Sequence, residues 1–504
     1  MLPYTRTIGS NPILFRTPEK THSLMQIYPF RALRYNTGLV KLEDVVTQPY
    51  DKISPAMQDA YYAKSPYNLI RVILGKRDPD TETDNVYSRA AAYLADWRQK
   101  HVLQEDATPA LFGYAQRYTV PGTNEVRERR GLICLGHLYD YEQKVVYRHE
   151  QTLSKPKSDR LSLFKATRTY CEQIYMLYND PAFTVEDLVF GNKTGEPATA
   201  PDQTVTDEYG VVHMLWHVTD PRTINLIVTA LQDKKLIIAD GHHRYETSTA
   251  YARERAAELG VPDSTTHTAG RPEPLYGAGD EAPSEYADEH GEARLPSPPF
   301  PEAAMMMTLV NMDAPGITIL PTHRVVFGLG EGAVASFLER AAEYFEVSRV
   351  DTNHDAKDSD AEKIEDASAL LAPLTASPGV AFLAATRDGN YLLSAKPEAI
   401  DAALQSFTPR QRALDVVQLH GLILEQLLGL SAESIRNQQN LRYLRSAPEA
   451  IAQVARGEAD IAFLVRPVTL DQLQNVSLSG EVMPQKSTDF YPKLLSGLAF
   501  YALD

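Results

Sequence analysis

Cysteine is nearly absent: Cys134 and Cys171 are the only two in 504 residues. Each sits among apolar or aromatic neighbours, which excludes a disulfide framework and a cysteine zinc site and reads as reduced core thiols. Also missing is any apolar run of membrane-span length, and residues 1–20 lack the basic start and apolar core of a signal peptide. The expectation is therefore a soluble, cytoplasmic protein. Positive charge is in deficit, with 50 Lys and Arg against 66 Asp and Glu and a formal net charge of −16. That balance opposes non-specific attraction to nucleic acid or an anionic membrane surface. A small anionic substrate remains allowed, because it feels only a few local cations. No Gly-x-Gly-x-x-Gly follows a strand, and there is no His-Glu-x-x-His, no Cys-x-x-Cys and no nucleophile-elbow serine. Dinucleotide redox chemistry, zinc hydrolysis and acyl transfer thus lose their usual motifs.

What is present is an ordinary globular mixture, 43% hydrophobic and 23% charged, long enough for two or three domains. Residues 1–22 read as a flexible tail, 23–259 as an N-terminal α/β domain, 260–302 as an acidic, Pro-rich insertion and 303–504 as a C-terminal α/β domain. Within the first domain, strands are expected at 45–47, 67–74, 110–120 and 130–139, and helices at 87–101 and 223–232. Ser54-Pro55 supplies an N-cap and first helical position for a helix reaching Lys64. Strand and helix patterns alternate throughout, so the fold class is mixed α/β.

The densest chemistry lies where the apolar run Leu236-Ile237-Ile238-Ala239 stops at Asp240-Gly241-His242-His243-Arg244, followed by good helix formers to Leu259. A strand-to-helix turn of this kind aims free backbone N–H groups and the positive end of the helix dipole at one spot, which suits an anion. Arg244 adds a two-pronged donor for phosphate or carboxylate. Asp240, at the strand's carboxyl end, is placed to hold a metal or orient a histidine, and His242 and His243 allow proton transfer. A second cluster, His149-Glu150 followed by Lys155, Lys157, Asp159 and Arg160, reads either as a general base facing bound phosphate or as a solvated charged loop. Tyr50 and Asp51 lie at another strand-to-helix junction. Leu320-Pro321-Thr322-His323-Arg324 and the stretch from Met483 to Lys493, with Lys486-Ser487-Thr488, Asp489 and Lys493, are compact polar clusters between apolar runs, the second either structural or substrate-lining. The latter has the Lys-Ser/Thr ending of a phosphate loop without its glycines, so a Walker-type site is not supported.

In order along the chain, Pro29-Phe30-Arg31-Ala32-Leu33-Arg34, Gln48-Pro49-Tyr50-Asp51, His149-Glu150 with Lys157 and Arg160, Asp240-Gly241-His242-His243-Arg244, Pro321-Thr322-His323-Arg324 and Met483-Pro484-x-Lys486-Ser487-Thr488 resemble the family catalogued as domain of unknown function 1015. The acidic stretch around 261–301 departs from it as an insertion. More distantly, the Asp-Gly-His-His-Arg turn is similar to the nucleotide-phosphate turn of the ParB/sulfiredoxin-like fold, in which free serine kinases occur. That resemblance implies a ParB/sulfiredoxin-like core elaborated with extra strands and helices, plus a C-terminal α/β part. It also implies ATP or ADP with Mg2+ as cofactors and free L-serine as acceptor. Gly241, His242, His243 and Arg244 would then cradle phosphates with Lys157 and Arg160. Asp240 would assist magnesium, and Glu150, Asp240 and His243 would form the catalytic set. Tyr50, Asp51, His149, His323, Arg324, Lys486, Ser487 and Thr488 would line the substrate.

The leading expectation is a small-molecule kinase giving O-phosphoserine, acting on a nucleotide and a free amino acid, with a homodimer allowed and no nucleic-acid or membrane partner. The alternatives are a nucleotide-binding switch without small-molecule product and a metal-dependent phosphate-ester hydrolase using Asp240, His242 and His243. The hydrolase is weakened because adjacent helical residues point about 100° apart and rarely share one ion.

Overall fold

The computed structural model describes residues 24–77, 80–150, 154–266, 295–350 and 369–504. The expected tail at 1–22 lies outside these, as do residues 267–294, most of the expected insertion. The described chain is mixed α/β, built on two large sheets.

The first sheet has nine strands among the described residues. Its order is Val146–Tyr147, Leu236–Asp240, Ile174–Tyr178, Ala304–Asn311, Val126–His137, Leu111–Thr119, Val212–Val218 and Gln203–Thr206, with Ile27–Tyr28 also paired to Val126–His137. Its central strands are buried on both faces, as in Ala304–Asn311, where every residue is buried. Such strands read as continuous apolar runs rather than alternating ones, which is how Met305, Met306 and Met307 come to stand side by side. The helix Pro55–Lys64 starts as its sequence predicts, with the Ser54 hydroxyl accepting from the Met57 N–H and Pro55 in the first turn. Helix Val86–Gln99 opens on a capping box between Asn85 and Ser88.

Two expected strands do not form. Residues 45–47 contain the end of helix Leu42–Val45, after which Thr47 makes only a single bridge to Ser496. The stretch 67–74 contains helix Ile70–Ile73, where the Asn68 side chain accepts from the Ile70 N–H. Both are short apolar runs buried on all sides, and periodicity cannot separate strand from helix over four residues.

The second sheet is antiparallel, in the order Phe345–Val350, Gly389–Ala395, Ala381–Thr386, Ile461–Leu464, His323–Val326 and Leu441–Leu444. Alternation splits its packing cleanly. Phe382 and Ala384 join one core with Phe337 and Leu422, while Ala381, Leu383 and Ala385 join another with Ala450 and Val454. The chain then returns to the first sheet, where Leu494, Leu495, Leu498 and Phe500 enter the principal core. The stretch 303–504, expected as one C-terminal unit, thus contributes to both bodies: Ala304–Asn311 is central to the first sheet, and the second sheet is inserted between it and the chain's last segment. The first and last segments of that insertion are neighbours, since Arg324 pairs with Phe463 and the Val465 N–H donates to His323 Nδ1 at 3.2 Å.

Candidate functional site

Strand Leu236–Asp240 runs antiparallel to Ile174–Tyr178, with a register shift between Ile238 and Asp240 that ends its regular pairing. Gly241 follows at φ 99°, and helix His242–Leu259 begins immediately. A side chain at Gly241 would be strained by its φ and would press on Ile174 Cδ1, 2.8 Å from where a Cβ would lie. Tyr245 donates back to the Gly241 carbonyl at 2.9 Å, so the N–H groups of His242, His243 and Arg244 stand outside the helix's own ladder. They face a cavity of about 300 Å³ between the two sheets' bodies, lined by Tyr50, Asp51, Glu150, the 240–244 turn, Arg436, Gln438, Gln485 and Lys486. Residues far apart in sequence, expected separately as site residues, therefore meet.

The walls are ordered by charge. Lys493 Nζ lies 3.0 Å from Asp240 and 3.2 Å from Asp489. Burial pushes the Asp240 carboxyl up, but Lys493, Arg244 and Lys52 outweigh it and hold the group well below the usual carboxylate range. Arg244 is buried, donates to the Gln173 carbonyl at 2.8 Å and lies 3.9 Å from Glu172. Glu172 in turn accepts from the Tyr50 N–H at 3.0 Å.

Behind the turn, His149 is fully buried, with Nδ1 2.7 Å from the Ile238 carbonyl. A carbonyl only accepts, so Nδ1 carries the proton and Nε2 accepts from the Thr488 hydroxyl at 2.8 Å. The His149 N–H points at His242 Nε2, 3.4 Å away, and the two rings meet edge to face at 4.6 Å. Burial, and then His149, hold His242 neutral, and burial also lowers the pKa of His243. Glu150 accepts from the Ser487 N–H at 3.2 Å, tying the loop that carries Lys486 to the cavity.

Other expected site residues stand back from the cavity. Lys157 pairs with Glu246, on the helix that the turn begins. Arg160 donates to the Ile73 carbonyl at 2.8 Å and to Asp159 at 3.0 Å, and stacks over Tyr50 at 4.1 Å. Neither lines the cavity, because each is already satisfied by neighbours. His323 is buried and accepts from Val465, and burial pushes its pKa down to about 4. Arg324, also buried, donates to the Lys486 carbonyl at 3.1 Å and contacts His420. It supports the Lys486 loop from behind. The Ser487 hydroxyl donates to the Pro484 carbonyl at 2.6 Å and the Thr488 hydroxyl to His149, so both are used within the protein.

Asp240, expected as the metal ligand, has its carboxylate bound by Lys493, and among the described residues no three His, Cys, Asp or Glu side chains converge on a metal position. The donor set does not fit a protein metal cage. Asp489 and Lys493 belong to the polar stretch 483–493 that the sequence offers as structural or substrate-lining, without showing their partners, whereas Glu172 and Arg436 were missed. Neither of these two stands in a recognisable motif, and Lys493 reaches Asp240 across 253 residues of chain. Among the described residues no helix is long and apolar enough to cross a membrane, and both thiols are free and buried.

No curated protein matches the chain. Among solved structures it is similar to a conserved hypothetical protein from Pyrococcus furiosus, at 12% identity over 70% of this chain and 91% of that one with a TM-score of 0.31. It is also similar to a free serine kinase in complex with AMP, at 12% identity over 69% and 83% of the two chains with a TM-score of 0.29. A third is SbnI with C-terminal truncation from Staphylococcus aureus, at 9% identity over 72% and 85% with a TM-score of 0.30. At such distances the reading of the site rests on its own residues. The sequence pattern of the family described as Protein of unknown function (DUF1015) matches residues 27–272 and 281–417, and the chain belongs to that family.

Proposed function

We propose that the protein is a small-molecule kinase that binds a nucleoside di- or triphosphate at the Gly241 turn and transfers its terminal phosphoryl group to an alcohol. The observation that carries this reading is the uncapped helix start at His242 opening into a cavity that also holds a lysine and a carboxylate from distant parts of the chain. The N–H groups of His242, His243 and Arg244, with the helix dipole, suit the phosphate oxygens. Lys486 adds a point charge for the transferring group. Glu150, anchored by Ser487, is the group to take the acceptor's proton. In that step the acceptor oxygen bonds to the terminal phosphorus, the bridging P–O bond breaks, and the shortened nucleotide leaves. Asp240 fixes Lys493 and Arg244 rather than a metal, and magnesium enters only as the nucleotide's own counter-ion. Free L-serine as acceptor comes from the resemblance of the turn to free serine kinases.

The test is incubation with magnesium, ATP or ADP and a mixture of free amino acids, read by mass spectrometry for a gained phosphoryl group. An O-phosphoserine peak is expected. Lys486→Met and Glu150→Gln should each slow its formation by roughly 10² to 10³, the usual cost of losing one transition-state contact. Nucleotide binding without any phosphorylated product would sink the kinase and leave a nucleotide-binding switch.

A further inference from the structure

A second cavity, of about 400 Å³, adjoins the first. Lys493 lines it while bonding Asp240 of the first, and Lys52 lines it one residue after Asp51 of the first. Its walls come from both sheets' bodies and include Tyr209, Tyr443, Arg445 and Tyr491, with Asp207, whose carboxylate is taken up by His213 and Gln48. Arg445 is committed to Asp489 through two bonds, and Lys493 lies between Asp240 and Asp489. Lys52 differs. Among the described residues its ammonium lies 4.0 Å from Asp489, beyond hydrogen-bond reach, and feels Asp51 and Asp240 only through space, although the side chain is only 28% exposed. Burial, and then Lys493, lower the pKa of its ammonium more than Asp51, Asp240 and Asp489 raise it. The Tyr443 and Tyr491 hydroxyls likewise make no hydrogen bond to the described residues; Tyr443 carries Arg324 over its ring and Tyr491 packs on Tyr118. An ammonium with open donors, ringed by phenols, suits a small organic carboxylate, whose anionic end meets the lysine while its body lies against the aromatic faces.

We propose that this second cavity is the acceptor site, binding a small carboxylate-bearing alcohol through Lys52, with its body against Tyr209, Tyr443 and Tyr491. The assignment of acceptor rests on the kinase reading of the first cavity; the binding of a carboxylate does not. A cavity of about 300 Å³ is at the small end of ligand sites, so the acceptor's carboxylate and body lie in the second cavity while its hydroxyl reaches into the first, toward Glu150.

The experiment compares L-serine with L-serine methyl ester, which lacks the carboxylate charge, on the full chain and on Lys52→Met. For the wild type, KM for L-serine should be lower than for the ester. Lys52→Met should raise KM for L-serine by about tenfold or more, leave KM for the nucleotide within about twofold, and abolish the preference over the ester. A rise in nucleotide KM instead would make the cavity a nucleoside site and overturn the proposal. So would an unchanged preference for the free acid. If no phosphorylated product forms at all, the kinase reading fails separately. Calorimetry of L-serine with both proteins then decides the site: heat of binding lost in Lys52→Met keeps a carboxylate site without the acceptor role, and no binding to the wild type overturns it.

Discussion

Single residues of this protein hold their charge states against their surroundings, and acid is where that shows. Burial raises the Asp489 carboxyl, but Lys493 and Arg445 outweigh it and bring it down to about 2, against about 3.9 in an unfolded chain. A depressed acid stabilises the fold fully above about pH 4, and that contribution is lost as pH falls toward about 2. His323 acts earlier. Burial, and then Arg324, push it down to about 4, while the unfolded chain takes up its proton near about 6.5. Protons therefore favour the unfolded state as pH drops from about 6.5 to about 4. Burial shifts His149, His242 and His420 in the same direction. The urea midpoint should be lower at about pH 5 than at about pH 7.5, and a flat profile over that range would contradict the buried, neutral histidines.

Among the elements, the strand, turn and helix around Gly241 were readable because they combine an apolar run, a glycine and a long series of helix formers. The same rules misjudged 45–47 and 67–74, where four-residue helices are set by packing and by the Asn68 side chain rather than by any period. The turn also gives the sharpest structural test. Gly241→Ala would hold an L side chain at φ 99°, with its Cβ 2.8 Å from Ile174 and 3.2 Å from Arg244 Nη2. Strain of this kind costs roughly 1–3 kcal/mol. The variant should unfold at lower urea and lose nucleotide binding by equilibrium dialysis, whereas wild-type values for both would show that the turn tolerates a side chain.

For the whole molecule, the sequence made the motifs legible but not their partners. Gly241 and Arg244 announce an anion site locally, whereas Lys493 and Glu172 matter only because folding carries them to Asp240 and Arg244. Lys157 and Arg160 had the right chemistry for phosphate, but their nearest neighbours, Glu246 and Asp159, already satisfy them. The closing segment is equally hidden in sequence, although Leu494, Leu495, Leu498 and Phe500 complete the principal core. A chain ending at residue 482 should fail to give soluble, cooperatively unfolding protein, because these core positions would be left empty. A sharp urea transition with a wild-type midpoint would refute that.

The second sheet leaves its host through two strands that lie side by side, His323–Val326 and Ile461–Leu464. A guest whose ends meet in this way can be gained, enlarged or exchanged during descent without stretching the host around it. The host would keep its helix start and the Gly241 turn through such an exchange. It would change Arg436, Gln438 and the segment 443–446, the guest's share of the two cavity walls. The cavity walls would then diverge between relatives while the Gly241 turn stayed the same.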